Sequence, residues 1–519
     1  MRIQSGKFGH LSGQQRMRRA ASEVLFLALM GCAGSEALSP AFPENANRAV
    51  SRAGSQADQS LEIIDKDASV SQRQAQRDAE TMVFIDASRS VSAGGRVVMT
   101  TATGPTDMDA ATALPPRDNS SEVSQRIDGS PPGIDTERDA TDVLSVDAGA
   151  SHGQINAILA TLRRDYDAGM SAYAQTDGWP LVLPGGVVLV VTNSGLPKVA
   201  GDHDGWAGTP LTVEEDFGWA LLPNIAGAGY KFTDGHRWAA DPWSRAYGFD
   251  EHGEMSFVHG QGDHLERWFG VQGVGIAART IRVWVPAQPV RCTLYMHDGQ
   301  NLFDPYAPWG GWRLQRSIPD GMMVVGIDNT VHRGWEYTHV PDIIDGQETG
   351  GGAGVYAQFL ETVVRPFINH QYGEADTVGT MGSSLGGLVS LFIAQRQPEA
   401  YDFVGVMSGT LAWGRIGGHS ETMIERIRSA PPSGVAVYLD SGGPQVACAD
   451  GDGDGIEDGA PGHRDNYCPT KQLAALLLRL GWDTHQNFWY RHAPDALHNE
   501  AAWADRVAVP LQIFAEHAQ

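Results

Sequence analysis

The chain has 519 residues, more than one typical domain, so two folded units plus irregular sequence are the expectation. With 62 Asp and Glu against 38 Lys and Arg its formal charge is −24, and neither a nucleic-acid backbone nor an anionic lipid surface attracts such a protein. Nucleic acid is therefore set aside as a partner, and no run of residues is long and apolar enough to span a bilayer.

In chain order, Arg16, Arg18 and Arg19 precede the apolar run 24–30, which ends in Leu29-Met30-Gly31-Cys32. This stretch, residues 1–32, resembles a bacterial lipoprotein signal with its lipobox. The resemblance implies export, lipidation of Cys32, attachment to a membrane through that lipid alone, and a location facing the periplasm or cell surface. Residues 33–150 mix Ser, Ala, Asp, Arg, Gly and Pro without period and cannot bury enough apolar surface to offset chain entropy, so they read as a disordered tether.

Order returns near residue 153. "INAILATLRRDYDAGMSAY" (155–173) spaces apolar residues as a helix does, and "GGVVLVVTN" (185–193) reads as a strand. Residues 199–242 are short apolar pieces punctuated by Gly, Asp and Pro, the texture of a small β-sandwich. Gly201-Asp202, Trp206, Tyr230-Lys231-Phe232, Asp234-Gly235 and Asp241-Pro242 follow a pattern that resembles the early-set, immunoglobulin-like modules of the glycogen-binding type, here spanning 151–275. That resemblance implies glycan capture through exposed tryptophans; packing roles for Trp206, Trp219 and Trp238 are the other reading.

Residues 276–519 alternate short β-branched or aromatic runs with longer amphipathic ones. "TIRVWVPA", "CTLYMHDG", "MVVGIDN", "TVGTMG", "FVGVMS", "VAVYLD" and "QNFWYRHA" are strand-like; "VYAQFLETVVRPFINHQY" and "TKQLAALLLRL" are helix-like. Such alternation predicts an α/β fold: a doubly wound, mostly parallel sheet covered by helices on both faces, with ligands at the carboxyl ends of the strands. Gly382-Ser383-Ser384-Leu385-Gly386 is a G-x-S-x-G match, which this composition supplies by chance about half a time per chain. Context decides: a strand over 377–381 leads in and an apolar helix over 388–394 leads out, the arrangement that lifts a serine above the sheet at a helix amino end. Ser384 then needs a base within hydrogen-bond reach, and chain order makes His498, in the loop after the last strand, the candidate ahead of His492.

Four blocks, "LYMHDGQNLFD" (294–304), "VVGIDNTVHRGWEYT" (324–338), "TMGSSLGGLVS" (380–390) and "HNEAAWADR" (498–506), resemble the putative-esterase family of α/β-hydrolases, which includes feruloyl, acetyl-xylan and siderophore (enterochelin-type) esterases. The resemblance implies a serine esterase acting without a cofactor on a small-molecule or carbohydrate ester. It assigns Ser384 as nucleophile, His498 as general base, and the backbone amides of Gln300 and Leu385 as the oxyanion hole. An acyltransferase on the same residues, or a surface glycan-binding protein with a decayed hydrolase domain, are the alternatives. The family's acid position is Gln445 in "LDSGGPQ", so the acid is left between Asp440, Asp465 and a Ser-His dyad without one.

An acidic insert, 446–468, follows directly. Asp450, Asp452, Asp454 and Asp458 occupy positions 1, 3, 5 and 9 of a D-x-D-x-D-G loop, calcium-binding spacing, but position 12 is Pro461 instead of glutamate. A partial, structural calcium loop and a solvated acidic loop both fit. Cys448 and Cys468 bracket the insert and, in an exported chain, predict a disulfide worth about 3 kcal/mol.

Overall fold

The computed structural model describes residues 148–459 and 466–518. The lipobox with Cys32, the tether up to residue 147, and Asp465 lie outside them. Among the described residues no helix is long and apolar enough to cross a membrane.

The helical stretch near 155–173 is two helices, Ala148–Arg164 and Tyr166–Gln175. Asp165 makes the break: its backbone is extended (φ −160°, ψ 104°), and its carboxylate accepts the Ala168 N–H at 3.0 Å, capping the second helix instead of continuing the first. Ten strands follow: β1 (Leu181–Leu183), β2 (Val187–Thr192), β3 (Lys198–Gly201), β4 (Thr209–Pro210), β5 (Thr212–Val213), β6 (Gly218–Pro223), β7 (Gly229–Thr233), β8 (Trp238–Ala239), β9 (Ala246–Asp250) and β10 (Gly253–Phe257). One four-stranded sheet runs β1-β2-β6-β5. Strand alternation explains why "VVLVV" is apolar throughout: Leu189 and Val191 pack on the helical pair, whereas Val188 and Val190 pack on Val199, Tyr230 and Phe232 of the facing sheet.

The larger sheet holds 14 strands. Its second half comprises β11 (His264–Gly273), β12 (Ile276–Val285), β13 (Cys292–His297), β14 (Met322–Ile327), β17 (Thr377–Ser383), β18 (Phe403–Met407), β19 (Ala436–Ser441) and β20 (Phe488–His492), with a separate hairpin of β15 (Pro341–Ile344) and β16 (Gln347–Gly350). The order is β20-β19-β18-β17-β13-β14-β12-β11, parallel from β20 to β14 and antiparallel at β12 and β11. This is the expected α/β-hydrolase arrangement. β13, β14, β18 and β19 are buried along their whole length, as strands covered on both faces must be. Beyond β11 the sheet continues through β9, with Leu265 opposite Tyr247 and Glu266 opposite Ala246, into β10, β7, β3 and β4.

The amphipathic stretch 355–372 forms helix Ala353–Phe359, a π-turn Leu360–Val364 and helix Arg365–Tyr372. Pro366 has no N–H to give a carbonyl four residues back, and the wider turn accommodates that loss. Near the sheet's rim, the loop after β14 is tied down by Arg279, whose guanidinium donates to both carboxylate oxygens of buried Glu336 at 2.9 and 2.6 Å. Glu336→Gln leaves a buried guanidinium short of its counter-charge. The expected loss is about 3–5 kcal/mol of unfolding free energy in a urea titration, with the midpoint falling and the slope unchanged.

Candidate active site

Ser384 sits between β17 and the helix Leu385–Arg396 with φ 55° and ψ −123°, a region non-glycine residues rarely occupy. Its backbone is held on both sides: its N–H donates to the Met407 carbonyl at 3.0 Å, and its carbonyl accepts the Thr410 N–H at 3.2 Å. The turn also requires Gly382, where an added Cβ would stand 2.6 Å from the Gly386 backbone. Strain of this kind costs on the order of 1–3 kcal/mol and persists only where the surroundings over-determine it.

The Ser384 hydroxyl is 96% buried and lies 3.3 Å from the Thr410 hydroxyl. Thr410, on the loop after β18, was not legible as a partner, because only the sheet order brings that loop over the turn. Leu385 opens the helix, so its amide has no carbonyl within the helix to donate to.

The second expected amide, that of Gln300, lies in the short 3-10 turn Gly299–Asn301 after β13. Gly299 packs so close over β14 that a Cβ there would meet the Gly326 carbonyl carbon and Asp328 Oδ1 at 2.7 Å. Asp298 accepts from Arg333 at 2.7 and 2.8 Å and from Asn329 Nδ2 at 2.5 Å. Burial alone would push the Asp298 carboxyl up, but the Arg333 guanidinium outweighs it and holds the group below its ordinary range. The same carboxylate borders the serine turn, with Asp298 Oδ2 3.3 Å from a Cβ built on Gly386.

His498 precedes the helix Glu500–Ala504, which Asn499 caps through Ala502 N–H. Its ring stands edge-on to Trp503 at 5.1 Å, and neither ring nitrogen has a hydrogen-bond partner among the described residues. Ser384 and His498 are therefore not directly bonded in this structure, as is common before substrate draws such contacts tight. Burial, followed by the positive charges of Arg506 and Arg333, lowers the imidazole to about 4, so it is neutral at physiological pH. His492 is committed elsewhere: its Nε2 is 2.7 Å from the Gly443 carbonyl and its ring lies against Tyr467 at 4.4 Å.

Asp440, the first candidate acid, is not joined to His498. Arg506 donates to its carboxylate at 3.0 and 3.2 Å, Tyr438 OH adds a bond at 3.2 Å, and both members of the ion pair are buried. Arg506 also donates to Ser408 Oγ at 2.9 Å, so the carboxylate is spent on holding the ends of β18 and β19 to the last turns of the chain. The physical reason is charge: a guanidinium that deep in the core needs a counter-ion more than a neutral imidazole does. Gln445 is exposed.

A further buried carboxyl stands on the His498 segment. Glu500, two residues after His498, is buried and accepts from Asn301 Nδ2 at 3.1 Å. Burial and, less strongly, the Asp298 charge push its carboxyl up to about 7 against the opposing pull of Arg333 and Asn301. The "HNE" spelling was the available signal, but nothing in it shows that Glu500 turns toward the 297–301 loop.

In the insert, the expected disulfide Cys448–Cys468 is present. Asp450, Asp452 and Asp454 each bring a carboxylate oxygen within 4.8 Å of the others, while Asp458 is outside that group and closes the loop through reciprocal backbone bonds with Ala449. Buried Ile456 pins the loop to the core, and Arg415 donates to the Asp454 carbonyl at 3.1 Å. In the sandwich, Trp206 and Trp238 lie 6.0 Å apart with Trp238 46% exposed, whereas Trp219 packs against the helical pair's core.

The sheet order and the strained serine turn define an α/β-hydrolase. Residues 280–511 match the model of the "Putative esterase" family, which supports a carboxylic ester hydrolase in this part of the chain. No curated protein matches the chain. Similar solved structures include the ferric enterobactin esterase of Salmonella typhimurium (15% identity, 64% of this chain and 93% of that one, TM-score 0.36), the BES protein of Bacillus cereus (15%, 48% and 94%, 0.36) and the siderophore hydrolase EstA of Aspergillus nidulans (17%, 49% and 94%, 0.36).

The raised Glu500 carboxyl carries a stability consequence with a definite sign. A carboxyl titrating near 7 when folded but near its ordinary 4.5 when unfolded binds more protons in the folded state between those values, so its contribution is lost as pH rises through that window. Glu500→Gln removes the effect. Melting curves of the two proteins are expected to run together below pH 4.5 and to separate toward pH 8, with the glutamine variant the more stable.

Proposed function

We propose that the protein is an exported, lipid-anchored serine esterase that cleaves small carboxylic esters through an acyl-enzyme, with Ser384 as nucleophile and His498 as general base. The observation that carries this reading is the strained backbone of Ser384 at the carboxyl end of a parallel strand, beside the first amide of a helix. In the reaction, the Ser384 hydroxyl gives its proton to the His498 imidazole and its oxygen attacks the ester carbonyl. The amides of Leu385 and Gln300 stabilise the oxygen on which negative charge develops, each worth about 3 kcal/mol of barrier. Protonated His498 then gives its proton to the departing alcohol, and water repeats the sequence to release the acid. Side chains, backbone and water suffice for these steps.

With Asp440 held by Arg506 and Asp465 outside the described residues, the reading is of a dyad among the described residues, in which no carboxylate is bonded to His498. Thr410 keeps the Ser384 hydroxyl oriented between turnovers. The substrate class is an acyl or feruloyl ester of a carbohydrate, or a siderophore ester. The carboxylates of Asp450, Asp452 and Asp454 suit a hard cation, and we propose structural calcium there; a melting temperature that rises with calcium and falls with chelator supports it, and no response removes it.

A panel of p-nitrophenyl, acetyl-sugar, feruloyl-sugar and catecholate-siderophore esters, run on the full chain, tests the assignment. Ser384→Ala and His498→Ala are each expected to lower kcat by about 10³-fold or more, and a fluorophosphonate probe should label wild type but not Ser384→Ala. A folded wild type that neither turns over any ester nor takes the label would end the reading.

Because the base is neutral at all pH above about 4, kcat/KM should stay level from pH 8 to 5 and fall only as pH approaches 4. An acidic limb centred near 6.5 would instead report an unperturbed histidine.

Asp440→Asn separates the dyad from a triad. Loss of the charge beside Arg506 is expected to cost about 3 kcal/mol of stability while changing kcat of the folded fraction by less than about 10-fold. A drop of about 10⁴-fold in folded protein would restore Asp440 as the catalytic acid.

A further inference from the structure

The 297–301 loop is anchored toward β14 by Asp298 to Arg333 and Asn329, and by Gln300 Oε1, which accepts the Asn329 N–H at 3.1 Å. On its other side Asn301 Nδ2 donates to Glu500 Oε1 at 3.1 Å, a contact between two buried residues 199 positions apart. Glu500 is the first residue of its helix, Asn499 is the cap, and His498 precedes the cap. One side-chain bond thus joins the loop that presents the Gln300 amide to the segment that presents the imidazole.

An electrostatic role for Glu500 at the helix start fits poorly. The helix Glu500–Ala504 has five residues, and the Asp298 carboxylate in its surroundings repels a second negative charge. What Glu500 supplies is a hydrogen-bond acceptor for the buried Asn301 Nδ2.

We propose that Glu500 is a positioning residue for the esterase reaction: by accepting from Asn301 it fixes the oxyanion loop against the His498 segment. This rests on the esterase reading above. The acceptor is what matters, and a glutamine oxygen replaces it. The titratable and charged groups that bear on Glu500 are Asp298 and Arg333.

The test compares wild type, Glu500→Gln, Glu500→Ala, Asn301→Ala and the double alanine variant of the full chain. The readouts are p-nitrophenyl acetate kinetics and amide hydrogen exchange over residues 298–302. Misplacement by about an ångström costs about 10²-fold, so Glu500→Ala and Asn301→Ala are each expected to lose about 10- to 100-fold in kcat with KM little changed. The double variant should be no worse than the poorer single, because both remove the same bond. Glu500→Gln should keep kcat within about 3-fold and retain the exchange protection that both alanine variants lose.

Wild-type kcat in Glu500→Ala, multiplicative losses in the double variant, or a glutamine variant as damaged as the alanine one would each overturn the proposal. If Glu500→Ala does not fold, Asn301→Ala and Glu500→Gln decide it. Should wild type neither hydrolyse esters nor react with fluorophosphonate, the esterase reading fails separately. Exchange then still decides the tie: unchanged protection in Asn301→Ala refutes it.

Discussion

The close approach of Gly382 to Gly386 is the constraint on which the site depends. With no Cβ between them, β17 and the helix Leu385–Arg396 meet within one residue, and the residue that spans the junction, Ser384, is forced to φ 55°. Bonds from its own amide to Met407 and from Thr410 to its carbonyl fasten that conformation to the neighbouring strand β18 and its following loop. The hydroxyl is then aimed by the backbone rather than by rotamer choice, and the helix-opening amide of Leu385 arrives beside it through the same turn. Changing the strand, the glycine or the neighbouring loop changes the direction of the Ser384 hydroxyl.

Around this turn the buried charges divide the labour. Arg333 neutralises Asp298 and steadies the loop after β13; Arg506 neutralises Asp440 and ties strands β18 and β19 to the chain's last turns; Arg279 and Glu336 lock the loop between. Each pair is a local positioning device, and the charges of Arg506 and Arg333 also bear on His498 and lower its imidazole. Such an arrangement keeps the imidazole neutral at physiological pH.

Much of this was legible in the sequence. The seven strand-like runs of the second half all became strands with ends matching to within four residues, because buried strands carry dense β-branched sequence with little to confuse them. The serine turn could be read because its glycines are a local steric requirement. What the sequence concealed are contacts across long separations: Thr410 with Ser384, Asp440 with Arg506, Asn301 with Glu500. Asp440 stood at the strand end where an acid is wanted, and no local signal told that an arginine 66 positions on would claim it. The single helix expected near 155–173 failed for the opposite reason, since Asp165 competes locally as a cap and its side chain wins against apolar periodicity.

The pairing of β11 with β9 joins the sandwich to the hydrolase sheet by main-chain hydrogen bonds, with the β11–β12 hairpin belonging to both. The sandwich sheet and the sheet that carries Ser384 are thereby one continuous hydrogen-bonded surface. The same seam closes an edge that an isolated hydrolase sheet would leave open to chance partners.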